Sequence, residues 1–172
     1  MEQEISFREY DKLIRDDLFL HPYGDHGIKH TRRVLYLAFQ LAKKYSLNPK
    51  EWKLLALACC YHDIGRVNDI TDYTHGRRSV NKCLKLKLPQ AHNLSDEEWE
   101  IVSDLMHYHA VPDSHFTRND QRILLLFKIL KDADGLDRVR FNDLNIKYLR
   151  LPDSKGLIPM ATKMVAKDTG RL

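Results

Sequence analysis

The 172-residue chain is short of everything that would stabilise it from outside a hydrophobic core. It has only three cysteines, two of them adjacent (Cys59, Cys60) and the third alone (Cys83), so neither a disulfide framework nor a zinc-finger spacing is present. No apolar run approaches the roughly 18 residues of a membrane span, and "MEQEISFREY" has no basic region followed by an apolar one. Seven glycines and six prolines leave no low-complexity tract or repeat. Stretches that alternate apolar and polar residues are missing as well, and β-branched residues never cluster, which argues against strands. A cytoplasmic, reducing setting, no membrane span and an all-α class are expected.

What is present is a globular composition, 43% apolar and 30% charged. That suits one domain able to remove roughly 70% of its unfolded surface from water. The net charge of +4 is unevenly distributed. Residues 138–172 carry eight basic side chains against three acidic ones, a net +5, while the rest is close to neutral. Scattered charges of this kind read as a solvated face, and nothing else points to nucleic acid. The tail is expected to solvate the domain, so that removing residues 154–172 leaves turnover unchanged.

Helical spacing accounts for the rest of the chain. Apolar residues recur at i, i+3 and i+4 from about Ile5 to Leu20, and again over a second helix capped by Asp25 and running to about Tyr45. Asn48 followed by Pro49 starts a third helix, to about His62, whose "LLALACCY" is apolar on all sides and belongs in the centre. A fourth runs from about His75 to Leu86. Ser95 with Glu98 is a capping box for a fifth, ending near His109, and Asn119 or Asp120 caps a sixth that ends near Asp134.

Ligand-type side chains interrupt this apolar pattern. His30 lies on the inward stripe of the second helix, His62 and Asp63 close the buried third, and Asp134 follows "LLLFKILKDA". A carboxylate placed there is costly without a cation or several donors. Two imidazoles and two carboxylates from three helices suit Mn, Fe, Co, Mg or Zn, with room for water and substrate.

The runs "HGIKHTRRV", "CCYHDIGR" and "ILKDADGLDRV" resemble the HD-domain superfamily of metal-dependent phosphohydrolases over about Asp25 to Arg140. The resemblance implies a helical bundle of six or more helices, with His30, His62, Asp63 and Asp134 as metal ligands. A hydrolase domain over residues 1–152 is expected, with residues 153–172 a basic tail that either stays solvated or packs on the domain. In some members further histidines hold a second metal. His75 and His107 are the candidates here, with His109 expected nearer solvent. Asp137, one turn after Asp134, is expected to pair with Arg138, Arg33 or a ligand histidine, and His26 either bonds a ligand or steadies its loop.

The activity implied is hydrolysis of a nucleotide or other small phosphate ester by a metal-activated water, with monoesterase, diesterase and pyrophosphohydrolase all open. Arg33, Arg66 and Arg77 are the phosphate-contact candidates, since guanidinium forks fit phosphate oxygens. Asp63 is assigned to the catalytic centre, and Asp69, Asp72, His75 and His107 compete as general acid or base. No Glu-Asp pair follows "HDIG", as in the hyperphosphorylated-guanosine hydrolases, and the extended GYP pattern of the cyclic-dinucleotide phosphodiesterases is also missing. A di-iron oxygenase and a non-catalytic nucleotide-binding or regulatory protein are the competing readings, and a homodimer is left open.

Overall fold

The computed structural model describes residues 7–170 and contains, among them, eight α-helices and no strand. These are α1 (Phe7–Asp11), α2 (Ile28–Ala42), α3 (Pro49–Tyr61), α4 (His75–Lys85), α5 (Leu88–Ala91), α6 (Asp96–Tyr108), α7 (Gln121–Leu136) and α8 (Ile158–Asp168). Short 3-10 turns join several of them, notably Asp137–Phe141 after α7 and Pro152–Leu157 before α8.

Local chemistry sets most helix starts. Asn48 accepts a hydrogen bond from the Glu51 amide at 3.0 Å while Glu51 Oε2 accepts from the Asn48 amide at 2.8 Å, with Pro49 in the first turn. Ser95 and Glu98 make the same reciprocal pair at α6. Asp120, not Asn119, caps α7 through the amides of Arg122 and Ile123. Each such cap contributes about 1 kcal/mol by satisfying amides that the helix leaves open. Asp25 does not cap α2. The cap position is Gly27, and the amide of Asp25 donates instead to Asp69.

The first helix is also shorter than its pattern suggests, because α1 gives way to a turn at Asp16–Leu18. Ile5 lies outside the described residues.

α3 is the central element. Leu54 through Tyr61 are all buried, and α3 packs against α2, α6 and α7. α2 lays Val34, Leu35, Leu37, Ala38 and Leu41, all fully buried, between α3 and α7. At about 25 cal/mol per Å², each buried leucine contributes about 1.5–3 kcal/mol.

The carboxyl end of α3 is held by α4. Ser79 Oγ donates to the His62 carbonyl at 2.6 Å and accepts from the Gly65 amide at 2.9 Å, and Arg78 Nε donates to the Gly65 carbonyl at 2.9 Å. This approach requires glycine, since a Cβ at Gly65 would run into the backbone of Arg78 and Ser79. Gly76 meets α6 in the same way, at the carbonyls of Met106 and His107.

Of the two arrangements open to the tail, residues 153–168 adopt the packed one and not the solvated one that the charge favours. Ser154 is buried and donates to Asp132, and Leu157 and Ala161, four apart, face inward with Met160 and Met164 beside them. α8 packs on α2 and on the turn Asp137–Phe141. The charges themselves do face water, at Lys155, Lys163 and Lys167. A short apolar stripe was enough to dock a helix that its charge concealed.

Candidate metal centre

Four histidines share one geometric device. His62, at the end of α3, directs Nδ1 to the Cys59 carbonyl at 2.8 Å, and His109, at the end of α6, directs Nδ1 to the Met106 carbonyl at 2.5 Å. His75, opening α4, does the same with the Asp72 carbonyl, and His30 Nδ1 meets Asp137 Oδ2 at 2.7 Å. Carbonyl and carboxylate oxygens only accept, so each Nδ1 carries a hydrogen, and a ring that is neutral presents its lone pair at Nε2.

All four Nε2 atoms converge on Asp63. His30 Nε2 and His62 Nε2 lie 3.4 and 3.6 Å from Asp63 Oδ2, and 3.3 Å from each other. On the other side, His75 Nε2 and His109 Nε2 lie 3.1 and 3.5 Å from Asp63 Oδ1, and 2.9 Å from each other. Asp134 Oδ1 joins the first group, 3.3 Å from His30 Nε2. The donor atoms of His30, His62 and Asp134, and those of His62, Asp63 and His109, lie within 4.8 Å of one another in each group.

Lone pairs aimed at lone pairs in a buried site repel unless a cation lies between them. Asp63, only 2% exposed, leaves Oδ1 without a hydrogen-bond partner. Burial keeps His62 neutral, with a pKa near 4. His30 goes the other way: burial opposes its protonation, yet Asp134, Asp137 and Asp63 raise it to about 10. Imidazole nitrogens and carboxylate oxygens in this number fit a divalent ion, and the orphaned Oδ1 fits it too.

Three members of the cluster, His75, His109 and Asp134, line an open cleft of about 360 Å³, together with His26, Arg66, Asp72, Tyr73 and Arg138. A more apolar hollow of about 600 Å³ adjoins it, sharing Tyr73, Asp134 and Arg138 and adding Leu144, Tyr148 and Leu149. Both volumes fall in the range of small-molecule sites.

Several assignments change in three dimensions. His107 is half-buried and stacks on Tyr108, outside the cluster, whereas His109, expected nearer solvent, is only 6% exposed and faces Asp63. The signal that locates His109 was present: it lies four residues after Leu105 and seven after Val102, on the buried face of α6. Arg33 does not reach the cleft either. It is buried against Asp137 and Asp168.

Arg77 is exposed and is not among the residues lining the cleft. Arg66 is well placed, lining the cleft with Nε 3.2 Å from Asp63 Oδ1. Asp72 lines the cleft, but its carboxylate is engaged by Arg78 and by Thr74, which hold its pKa far below the ordinary range, so it is unprotonated. Asp69 ties two loops together through the amides of Asp25 and His26 and the ring of His26. Arg138, unassigned to substrate from sequence, stands exposed at the junction of the two hollows.

Helical architecture and the His-Asp cluster together define an HD-domain protein. The HD-CE family model matches residues 7–151, and the chain belongs to that family. Comparison with curated proteins returns no match. Among solved structures, the fold is similar to a predicted HD superfamily hydrolase from an uncultured Thermotogales bacterium. The TM-score is 0.61 at 23% identity, covering 95% of this chain and 89% of that one.

Proposed function

We propose that the protein is a metal-dependent phosphohydrolase acting on a nucleotide or another small phosphate ester. The observation that carries this reading is the convergence of four Nε2 atoms on the two oxygens of a buried, incompletely bonded Asp63, behind His75, His109 and Asp134, which line an open cleft. His30, His62, Asp134 and Asp63 Oδ2 would hold one divalent ion, and His75, His109 and Asp63 Oδ1 a second. A bound ion of this kind supplies Lewis acidity and an acidified water for in-line attack on phosphorus.

The chain's own residues do the rest. Asp137 and the carbonyls of Cys59, Asp72 and Met106 fix the four rings so that Nε2, not Nδ1, faces the centre. Arg66 and Arg138 offer guanidinium groups to phosphate oxygens from the walls of the cleft. His26 lines the same wall with Nδ1 on Asp69, and burial lowers its pKa, which favours the neutral ring and a role as proton acceptor at Nε2. The apolar hollow past Tyr73 gives the esterified group a place away from water.

The pairing of imidazoles on both sides of Asp63 also suits an iron-dependent oxygenase, which needs two adjacent metals. Metal analysis joined to a screen of nucleoside mono-, di- and triphosphates separates the readings. Release of phosphate or pyrophosphate supports the hydrolase. A coloured protein with paired iron, oxygen uptake and no phosphate release selects the oxygenase. A metal-loaded chain inert in both assays selects a binding role.

A further inference from the structure

The side chain that fixes His30 is itself held by a chain of charges leading to the last turn of α8. Asp137 has a fully buried carboxylate with four donors: His30 Nδ1 (2.7 Å), Arg33 Nε (2.6 Å), Arg33 Nη2 (3.0 Å) and Arg140 Nη1 (2.9 Å). The remaining arm of Arg33, Nη1, donates to Asp168 Oδ2 at 2.6 Å. Asp168 ends α8, beyond the residues matched by the family model.

Charge balance gives Asp168 a role beyond docking a helix. Asp137 alone faces two guanidinium groups, Arg33 and Arg140, both about nine-tenths buried. With Asp168 the four groups are neutral. Without it they carry a net positive charge directly behind His30, which disfavours any cation on the other face of that ring. Geometry acts in the same direction. Arg33 spans Asp137 and Asp168 with its planar fork, and once one end is released the guanidinium is free to rotate away from Asp137 Oδ1.

We infer that Asp168 is a positioning residue for the metal centre. It acts through Arg33 and Asp137 to fix the Nδ1–H of His30, and so aims Nε2 at the site and balances the charge behind it. This rests on the metal-centre reading above.

The test measures divalent-ion affinity, with Mn²⁺ or Zn²⁺ titrated against a competing chelator on the full chain, alongside thermal melting in chelator. Asp168→Asn is expected to weaken ion binding about tenfold, the lower end of the effect of groups that orient ligands. Asp168→Glu, which keeps the charge, should recover most of that loss. The His30 Nδ1–H proton resonance in the ion-free protein should move in Asp168→Asn.

Lys29 supplies the control. Its Nζ donates to the Asp168 carbonyl at 3.0 Å, so it grips the same end of α8 without touching the Arg33 chain. Lys29→Ala should leave ion affinity and the His30 resonance unchanged. If Lys29→Ala weakens binding as much as Asp168→Asn does, helix docking and not the charge chain is responsible, and the inference falls. It falls equally if folded Asp168→Asn binds ions like the wild type. Should Asp168→Asn not fold, Arg33→Lys reads the same chain, because one amine cannot span both carboxylates, and wild-type affinity in that folded variant overturns the proposal. A wild-type chain that binds no divalent ion instead overturns the functional reading itself.

Discussion

Asp63 and Asp132 are both buried, 2% and 0% exposed, yet their surroundings are opposite. Asp132 is surrounded by donors. The Arg150 amide reaches both oxygens at 2.8–2.9 Å, and the Leu151 amide (2.8 Å), Ser154 Oγ (2.6 Å) and Arg150 Nη1 (3.2 Å) complete the set. Asp63 is surrounded by imidazole nitrogens whose hydrogens point elsewhere, and its Oδ1 has no hydrogen-bond partner although Arg66 Nε lies 3.2 Å away. A buried carboxylate supplied with donors holds the chain together, and one supplied with lone pairs awaits a cation. The first carboxylate fastens the segment before α8 to α7, while the second stands in a group of side chains that could hold a metal ion.

The sharpest break in that comparison comes from removing each carboxylate. Asp132→Ala strands the amides of Arg150 and Leu151 and the Ser154 hydroxyl, and should cost about 3–5 kcal/mol of folding stability by urea unfolding. Turnover per folded molecule should stay within a few-fold. Asp63→Ala should do the reverse, lowering metal content and reducing turnover at least about a hundredfold. Its stability in chelator should be unchanged or higher, because the anion it removes was poorly paired. Wild-type metal content and turnover in folded Asp63→Ala would refute the site.

A finer comparison lies within α6. His109→Ala should weaken metal binding and turnover by about tenfold or more, on the scale of lost ligand orientation, whereas His107→Ala should leave both unchanged. Metal titration and steady-state rates on the two variants check this, and equal effects would mean that α6 is turned differently from the geometry described.

The smallest effect separates a buried pair from an exposed one. Asp113, about half exposed, meets Arg150 and Lys131 at 2.7 Å. Burial raises its pKa, but those two cations pull it down to about 2. A depressed carboxylate pKa stabilises the fold above the unfolded value near 4, and that contribution is lost as pH falls through about 2. Solvent screening limits it to about 1 kcal/mol or less. Asp113→Asn should therefore melt slightly lower than the wild type at neutral pH, with the difference shrinking towards pH 2.

Helix starts were legible because their chemistry spans three residues. Asn48 with Glu51, and Ser95 with Glu98, are complete signals wherever they occur, and "LLALACCY" could only be a central helix. Asp25 failed as a cap because a loop 43–44 residues away, carrying Asp69, claims that turn. The ligand types at His30, His62, Asp63 and Asp134 stood out as polar groups on apolar faces. Arg33 stood out for the wrong reason: one turn beyond His30 it looks like a phosphate contact, and only the arrival of Asp137 and Asp168 turns it into a buried tie.

The amino-acid sequence by itself determined the central helices, their apolar faces and the kinds of ligand available, because capping and periodicity act within a turn or two of chain. Tertiary packing alone decided which imidazoles meet. His30 and His62 are 32 residues apart, His75 and His109 34, and His30 and Asp137 107. The same packing docked α8 by Leu157 and Ala161 beneath its lysines, so that its last carboxylate reaches Arg33. Those distances in sequence are closed by the burial of α3 among α2, α6 and α7, a non-directional force that brings the elements together. The few hydrogen bonds from Nδ1 then settle the direction in which each ring faces.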